Sequence, residues 1–203
     1  MIMFKGVDCM ALSREALIEA VSAQMPDKRW KHTLGVMETS VKLAERYGGD
    51  PVRAETAAIL HDVAKYWPVE RMKEIIEANG LSAELLSYDK QLWHAEVGAF
   101  VAGDEYGITD PEVLDAIRYH TSGREHMGLL EKIVCLADYI EPGRDFPGVD
   151  HIRKLSKASL EEGLLAGFDS TISLLLQKRQ IVFRLTVLAR TGRVGLLEDN
   201  ICR

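Results

Sequence analysis

The sequence predicts an all-α fold, a single helical bundle of about eight helices, and three observations carry that expectation. Residues that start and stop helices punctuate the chain at helical intervals. Between them, apolar residues recur at spacings of three and four. No apolar/polar alternation bounded by turn residues offers a strand.

The elements follow in order. Ser13 is placed to cap REALIEAVSAQM, and Pro26 stops it. Asp27 is placed to cap RWKHTLGVMETSVKLAERY, in which Leu34, Met37, Val41 and Ala44 share one face, up to Gly48-Gly49. Asp50-Pro51 starts the next helix, with proline at the first helical position, where its missing N–H costs nothing. The same pair returns at Asp110-Pro111. Gly48, Gly80 and Gly107 stand where helix C-terminal glycines belong. The last long pattern runs from about Leu155 to Ala189. Within it, Gln180–Leu188 (QIVFRLTVL) is β-branched enough to suit a strand, but its place in the longer pattern assigns it to helix. Pro142–Val149 reads as an ordered loop, and His126–Gly128 as a break.

Composition narrows the functions. A chain of 203 residues suits one domain. Lys and Arg number 25 against 31 Asp and Glu, a net charge of −6, which makes a poor general nucleic-acid binder. No apolar run approaches the ~20 residues of a membrane helix. The N-terminal MIMFKGVDCMALS is broken by Lys5 and Asp8 and so lacks the apolar core of a signal peptide. Cys9, Cys135 and Cys202 form no CxxC pair, and a reducing cytoplasm is the expected location.

The informative residues are histidines and aspartates. His61-Asp62 lies among Ala57, Ala58, Ile59, Leu60, Val63 and Ala64, in what reads as the middle of the helix opened by Asp50-Pro51. Such a pair is costly to bury unless something partners it. A metal ion would do so; the alternative is a hydrogen-bonded core histidine with a carboxylate partner. The companions favour metal. His32 lies on the preceding helix, His94 begins HAEVGAFVAG, His120 ends the Asp110-Pro111 helix, and Asp138 sits inside IVCLADYIEP. Side chains on facing helices are how bundles build such sites.

The order H…HD…H…H…D resembles the HD-domain superfamily of metal-dependent phosphohydrolases. The strings RWKHT (29–33), HDVAK (61–65), HAEVGA (94–99), HTSG (120–123) and ADYIEPGR (137–144) are similar to the YqeK family, whose members are symmetrical bis(5′-nucleosyl)-tetraphosphatases. The resemblance spans residues 12–192, leaving 1–11 and 193–203 as terminal extensions. VAKY after His61-Asp62, and the absence of a GYP tripeptide, set the chain apart from guanosine-tetraphosphate hydrolases and cyclic-dinucleotide phosphodiesterases.

The resemblance implies two divalent transition-metal ions, iron first, with manganese or cobalt compatible with the same donors. His32, His61, Asp62 and Asp138 would hold one ion. Asp62 would bridge to a second, held by His94 and His120. The implied reaction is hydrolysis of diadenosine tetraphosphate to two ADP by a water that the ions activate to hydroxide. Asp62 and Lys65 are the implied catalytic pair. Lys65, three residues after Asp62, and Arg29, three before His32, fall on the same helix faces as those residues and suit phosphate contact. Thr121, Gly123, Lys132 and Arg144 are further substrate candidates, and the basic helix near Gln177 is expected to close the nucleotide pocket. Cys135, His126, His151 and the three tryptophans read as core or loop residues. An HD-type hydrolase of another nucleotide and a non-catalytic nucleotide-binding sensor are the alternatives. The sequence leaves base preference and quaternary state open, a homodimer among the options.

Overall fold

A computed structural model describes residues 12–192, and the expected terminal extensions, with Cys9 and Cys202, lie outside them. Ten α-helices and two short 3₁₀ turns account for the regular structure, and the described residues contain no strand. The helices are α1 (Arg14–Ser22), α2 (Asp27–Tyr47), α3 (Pro51–Leu60), α4 (Val69–Ala78) and α5 (Trp93–Asp104). They continue with α6 (Pro111–Tyr119), α7 (Leu129–Ile140), α8 (Val149–Leu155), α9 (Leu160–Gln177) and α10 (Arg184–Thr191). The 3₁₀ turns, Ala83–Ser87 and Lys90–Leu92, lead into α5.

The expectation of about eight helices is therefore low, and the miss lies mainly at the C-terminal end. The Leu155–Ala189 pattern is not one helix. Ser159 caps a new start at α9, its hydroxyl accepting from the Glu162 N–H. After Gln177, Arg179 turns left-handed at φ 54°, and the N–H groups of Arg179 and Gln180 close back on Leu176 and Leu175. Ile181 and Val182 then run outside any helix, and buried Phe183 docks edge-on to Tyr88 before α10 begins. The β-branched residues thus kept their local preference against the longer pattern.

α7 forms the floor of the core. Ile133, Val134, Leu136 and Ala137 are wholly buried, and α2, α3, α6, α8 and α9 pack around this helix. On α3, Ala54, Ala57 and Ala58 present no bulk, so neighbouring backbones approach closely. α5 is apolar on almost every side and is buried accordingly.

The two Asp-Pro helices are built alike. The Asp50 carboxylate accepts from the N–H groups of Val52 and Arg53, and Asp110 accepts from those of Glu112 and Val113. Arg53 clamps the two starts together, with Nε and Nη2 each 2.6 Å from Asp110. Helices of 10 and 9 residues launched from a shared point end at a shared point, and His61 and His120 cap those ends with ring centroids 5.0 Å apart. Two local corrections follow. His61 and Asp62 stand at and just beyond the end of α3, not in its middle. Asp27 is the first residue of α2, with Pro26 at the cap position.

Candidate active site

Four imidazoles surround one carboxylate. Asp62 is buried at the end of α3, and its two oxygens face different partners. Oδ2 lies 2.9 Å from His61 Nε2 and 3.7 Å from His32 Nε2. Oδ1 lies 3.1 Å from His94 Nε2 and 3.9 Å from His120 Nε2. Asp138, on the last turn of α7, reaches His32 Nε2 at 3.0 Å.

The opposite ring nitrogens explain the orientation. Nδ1 of His61, His94 and His120 each lies within 2.8 Å of the carbonyl three residues back, at Ala58, Gln91 and Ile117. A carbonyl only accepts, so each Nδ1 carries a proton, and in its neutral form each ring turns a bare Nε2 lone pair inward. His32 is held differently, its Nδ1 lying 3.0 Å from the buried carboxylate of Glu141. The Nε2 lone pairs therefore converge on one another. His94 Nε2 and His120 Nε2 stand 3.2 Å apart. Nε2 of His32 and His61 and both Asp62 oxygens are buried without a hydrogen-bond partner. Buried polar atoms are rarely left so. A cation between them would satisfy the whole set, and the donor chemistry suits a divalent metal.

The charges respond to this crowding. Burial would push Asp62 up, but His61 and His94, when protonated at the Nε2 that faces it, outweigh this and hold the carboxylate well below its ordinary range. Burial and the charges of His61 and His94 push His120 well below the usual imidazole value. Burial also lowers His94, whereas Asp62 raises His61 against its burial.

Residues 29–143, which contain the whole cluster, match the HD domain family. The chain belongs to the HD-domain family. It is 49% identical over 172 residues to the symmetrical bis(5′-nucleosyl)-tetraphosphatase of Bacillus subtilis, a match covering 85% of this chain and 92% of that protein. The Staphylococcus aureus protein of the same name is 43% identical over 81% of this chain and 86% of its own length. Among solved structures, a predicted HD superfamily hydrolase involved in NAD metabolism from Clostridium acetobutylicum superposes with a TM-score of 0.86 at 40% identity. That superposition covers 90% of this chain and 97% of the other.

Cations and hydroxyls ring the HD-domain cluster. Lys65 Nζ lies 3.4 Å from both ring nitrogens of His94, and burial lowers its pKa despite nearby Asp62. It arrives there by a route other than a shared helix face: after α3 the chain runs in tight turns, with the Lys65 N–H closing on the Asp62 carbonyl. Arg29 Nε sits 2.7 Å from Asp62 Oδ2 but off the hydrogen-bonding line, so both atoms stay unpartnered. Arg144 grips Asp138 through its side chain and donates from Nε to the Asp138 carbonyl. The Thr121 hydroxyl lies 2.9 Å from His120 Nε2.

Two substrate candidates sit elsewhere. Gly123 adopts φ +63°, and a Cβ there would lie 2.5 Å from Phe168, so core packing accounts for this glycine. Lys132 is taken up by Glu161 at the start of α9, at 3.0 Å. Cys135 is wholly buried, with burial raising its thiol.

Two clefts flank the cluster. One, of about 460 Å³, lies between α7 and α9 and is lined by His120, Thr121, Asp138, Arg144, Phe146 and Gln177, among others. The second, of about 690 Å³, opens along α2 beside His32 and Arg29. Sequence reasoning missed Glu141. Its place directly before Pro142-Gly143 marks the end of α7, but only the folded chain brings it to His32, 109 positions away.

Proposed function

We propose that this protein is a metal-dependent symmetrical bis(5′-nucleosyl)-tetraphosphatase, which hydrolyses diadenosine tetraphosphate to two ADP. One observation carries the reading above others: relatives of that name match over four-fifths of the chain, and the HD match contains all six candidate ligands. In this reading His32, His61, Asp62 and Asp138 would hold one ion, and His94 and His120, with Asp62 shared, would hold a second. Two bound divalent ions supply an activated water and neutralise charge on phosphoryl oxygens. Iron is the first expectation, and the nitrogen/oxygen donor set is equally suited to manganese or cobalt. Three cysteines scattered through the sequence without a CxxC pair support a cytoplasmic setting, and a homodimer is compatible with the same chemistry.

The remaining residues bind and orient. The Lys65 ammonium, next to His94, is within reach of a phosphoryl oxygen at the cluster and has no lone pair for a metal. Arg29 and Arg144 add charge on either side of Asp62 and Asp138 and offset the protein's net negative charge locally. The Thr121 hydroxyl offers a hydrogen bond at the mouth of the α7–α9 cleft. Phe146 and Leu174 give that cleft an apolar side for a nucleoside, with Gln177 at its edge. The leaving group is a nucleoside diphosphate, so no dedicated general acid is required.

The test is product analysis. Metal-loaded protein incubated with diadenosine tetraphosphate in ¹⁸O-water is expected to release ADP alone, half of it labelled. AMP and ATP as primary products, or no hydrolysis, would overturn the reading.

A further inference from the structure

Resting on the tetraphosphatase reading, we propose that the cleft along α2 is a second nucleoside subsite, which holds the half of the substrate that leaves. Dinucleoside tetraphosphate carries a nucleoside diphosphate on each side of its central bridge. Water's oxygen bonds one inner phosphorus, and the bridging P–O bond breaks, its electron pair going to the departing nucleoside diphosphate. The water proton passes to solvent. The two halves therefore leave the reacting phosphorus along different bonds, and the cluster opens in two directions. His120, Thr121 and Asp138 line the α7–α9 cleft, His32 and Arg29 line the α2 cleft, and Arg144 lines both.

The walls differ in the way two unequal halves require. The α2 cleft carries Lys28, Arg29 and Lys31 on the first turns of α2. Among the described residues neither lysine has an ion-pair partner, whereas Arg29 faces Asp62 Oδ2 at 2.7 Å. The acids nearby are occupied: Glu38 pairs with Lys42, and Glu141 with His32 and the Gly143 N–H. The free charge on this wall is positive, as two phosphates need. Beside it, Tyr66 is 56% exposed and Leu34 43% exposed, an aromatic and apolar platform on which a base can stack. Tyr66 follows Lys65 in the turn that carries Asp62, so the platform is tied to the reacting centre.

Steady-state kinetics on two substrates test this. Diadenosine tetraphosphate has a second base, and adenosine 5′-tetraphosphate lacks it. Tyr66→Ala is expected to lower the ratio of kcat/KM for the first over the second about tenfold, the scale of one lost base–aromatic stack. An unchanged ratio would overturn the assignment. Lys28→Ala/Lys31→Ala is expected to raise KM for both substrates severalfold, and unchanged KM for both would count against the phosphate role of this wall. Should the wild-type protein hydrolyse neither substrate, the tetraphosphatase reading fails by itself. Calorimetric titration of the metal-loaded protein with ADP then decides the subsite separately. Two ADP per chain, falling to one in Tyr66→Ala/Lys31→Ala, supports the subsite; one ADP per chain in both proteins overturns it.

Discussion

His32 and the trio His61, His94 and His120 aim the same nitrogen at the same carboxylate, but different means hold them. Each of the trio leans on a carbonyl three residues back, so its orientation comes with the local turn of chain. His32 leans on Glu141, a charged group delivered by the far end of α7. Room for that carboxylate depends on Gly35, where a Cβ would lie 2.5 Å from Glu141 Oε2. Both orient an imidazole, but only the carboxylate brings a full negative charge to the ring. The half of the cluster around Asp62 Oδ2 thus has an external support that the Oδ1 half lacks.

The largest effect should come from the residue common to both halves. Asp62→Ala is expected to lose both ions and all measurable hydrolysis, because Asp62 faces every imidazole of the cluster. Elemental analysis finding full metal occupancy in this variant would show that the two halves do not share it. Lys65→Ala probes the Oδ1 half without removing a candidate ligand. Metal content should be unchanged and kcat should fall by ~10²-fold, the cost of losing one electrostatic donor. A rise in KM alone would assign Lys65 to substrate anchoring.

Glu141→Gln separates the two supports directly. Glutamine can still accept from His32 Nδ1 but carries no charge. Metal affinity in the Oδ2 half should fall by ~10-fold or more, the usual scale for such partners, while the Oδ1 half keeps its ion. Competition with a graded chelator would resolve two unequal ions in the variant, and equal loss of both would remove the distinction.

The smallest effect concerns pH in chelator-treated protein. Burial holds His94 low and His120 well below its ordinary range, so in the folded state they resist protons that the unfolded chain takes up below about pH 6.5. Stability should fall as pH drops through that value. His61, raised, opposes this: its contribution is present below about pH 6.5 and lost as pH rises through its folded value. Two lowered rings against one raised ring leave a net loss on acidification. Asp62 and Asp138, both held low, extend the loss below about pH 4. Thermal unfolding should show a midpoint a few degrees lower at pH 5.5 than at pH 7.5, and an unchanged or higher midpoint would contradict this balance.

Much of the arrangement was legible residue by residue. Asp50-Pro51 and Asp110-Pro111 each specify a helix start, and the similar distances to His61 and His120 foreshadow ends that coincide. The embedding of His61, Asp62, His94 and Asp138 in apolar strings marks them as buried polar groups in need of partners, because such burial is otherwise costly. The C-terminal break was not legible in the same way. Helical periodicity continues through Gln180–Leu188 while the β-branched Ile181 and Val182 pull against it, and the docking of Phe183 on Tyr88 decides the departure from the helix at Arg179.

What the sequence by itself determined is whatever depends on near neighbours: the helix caps, the apolar faces, and the Nδ1–carbonyl contacts that turn three Nε2 atoms outward from their own helices. Tertiary structure alone decided whatever spans the chain. Arg53 reaching Asp110 brings two helix ends together, and Glu141 reaching His32 supports one half of the cluster. It likewise set Lys132 against Glu161 and Gly123 against Phe168. The physical reason is range. Capping and i−3 hydrogen bonds act within a turn of backbone. Pairing between distant side chains exists only after the core has packed and removed the water that would otherwise satisfy them.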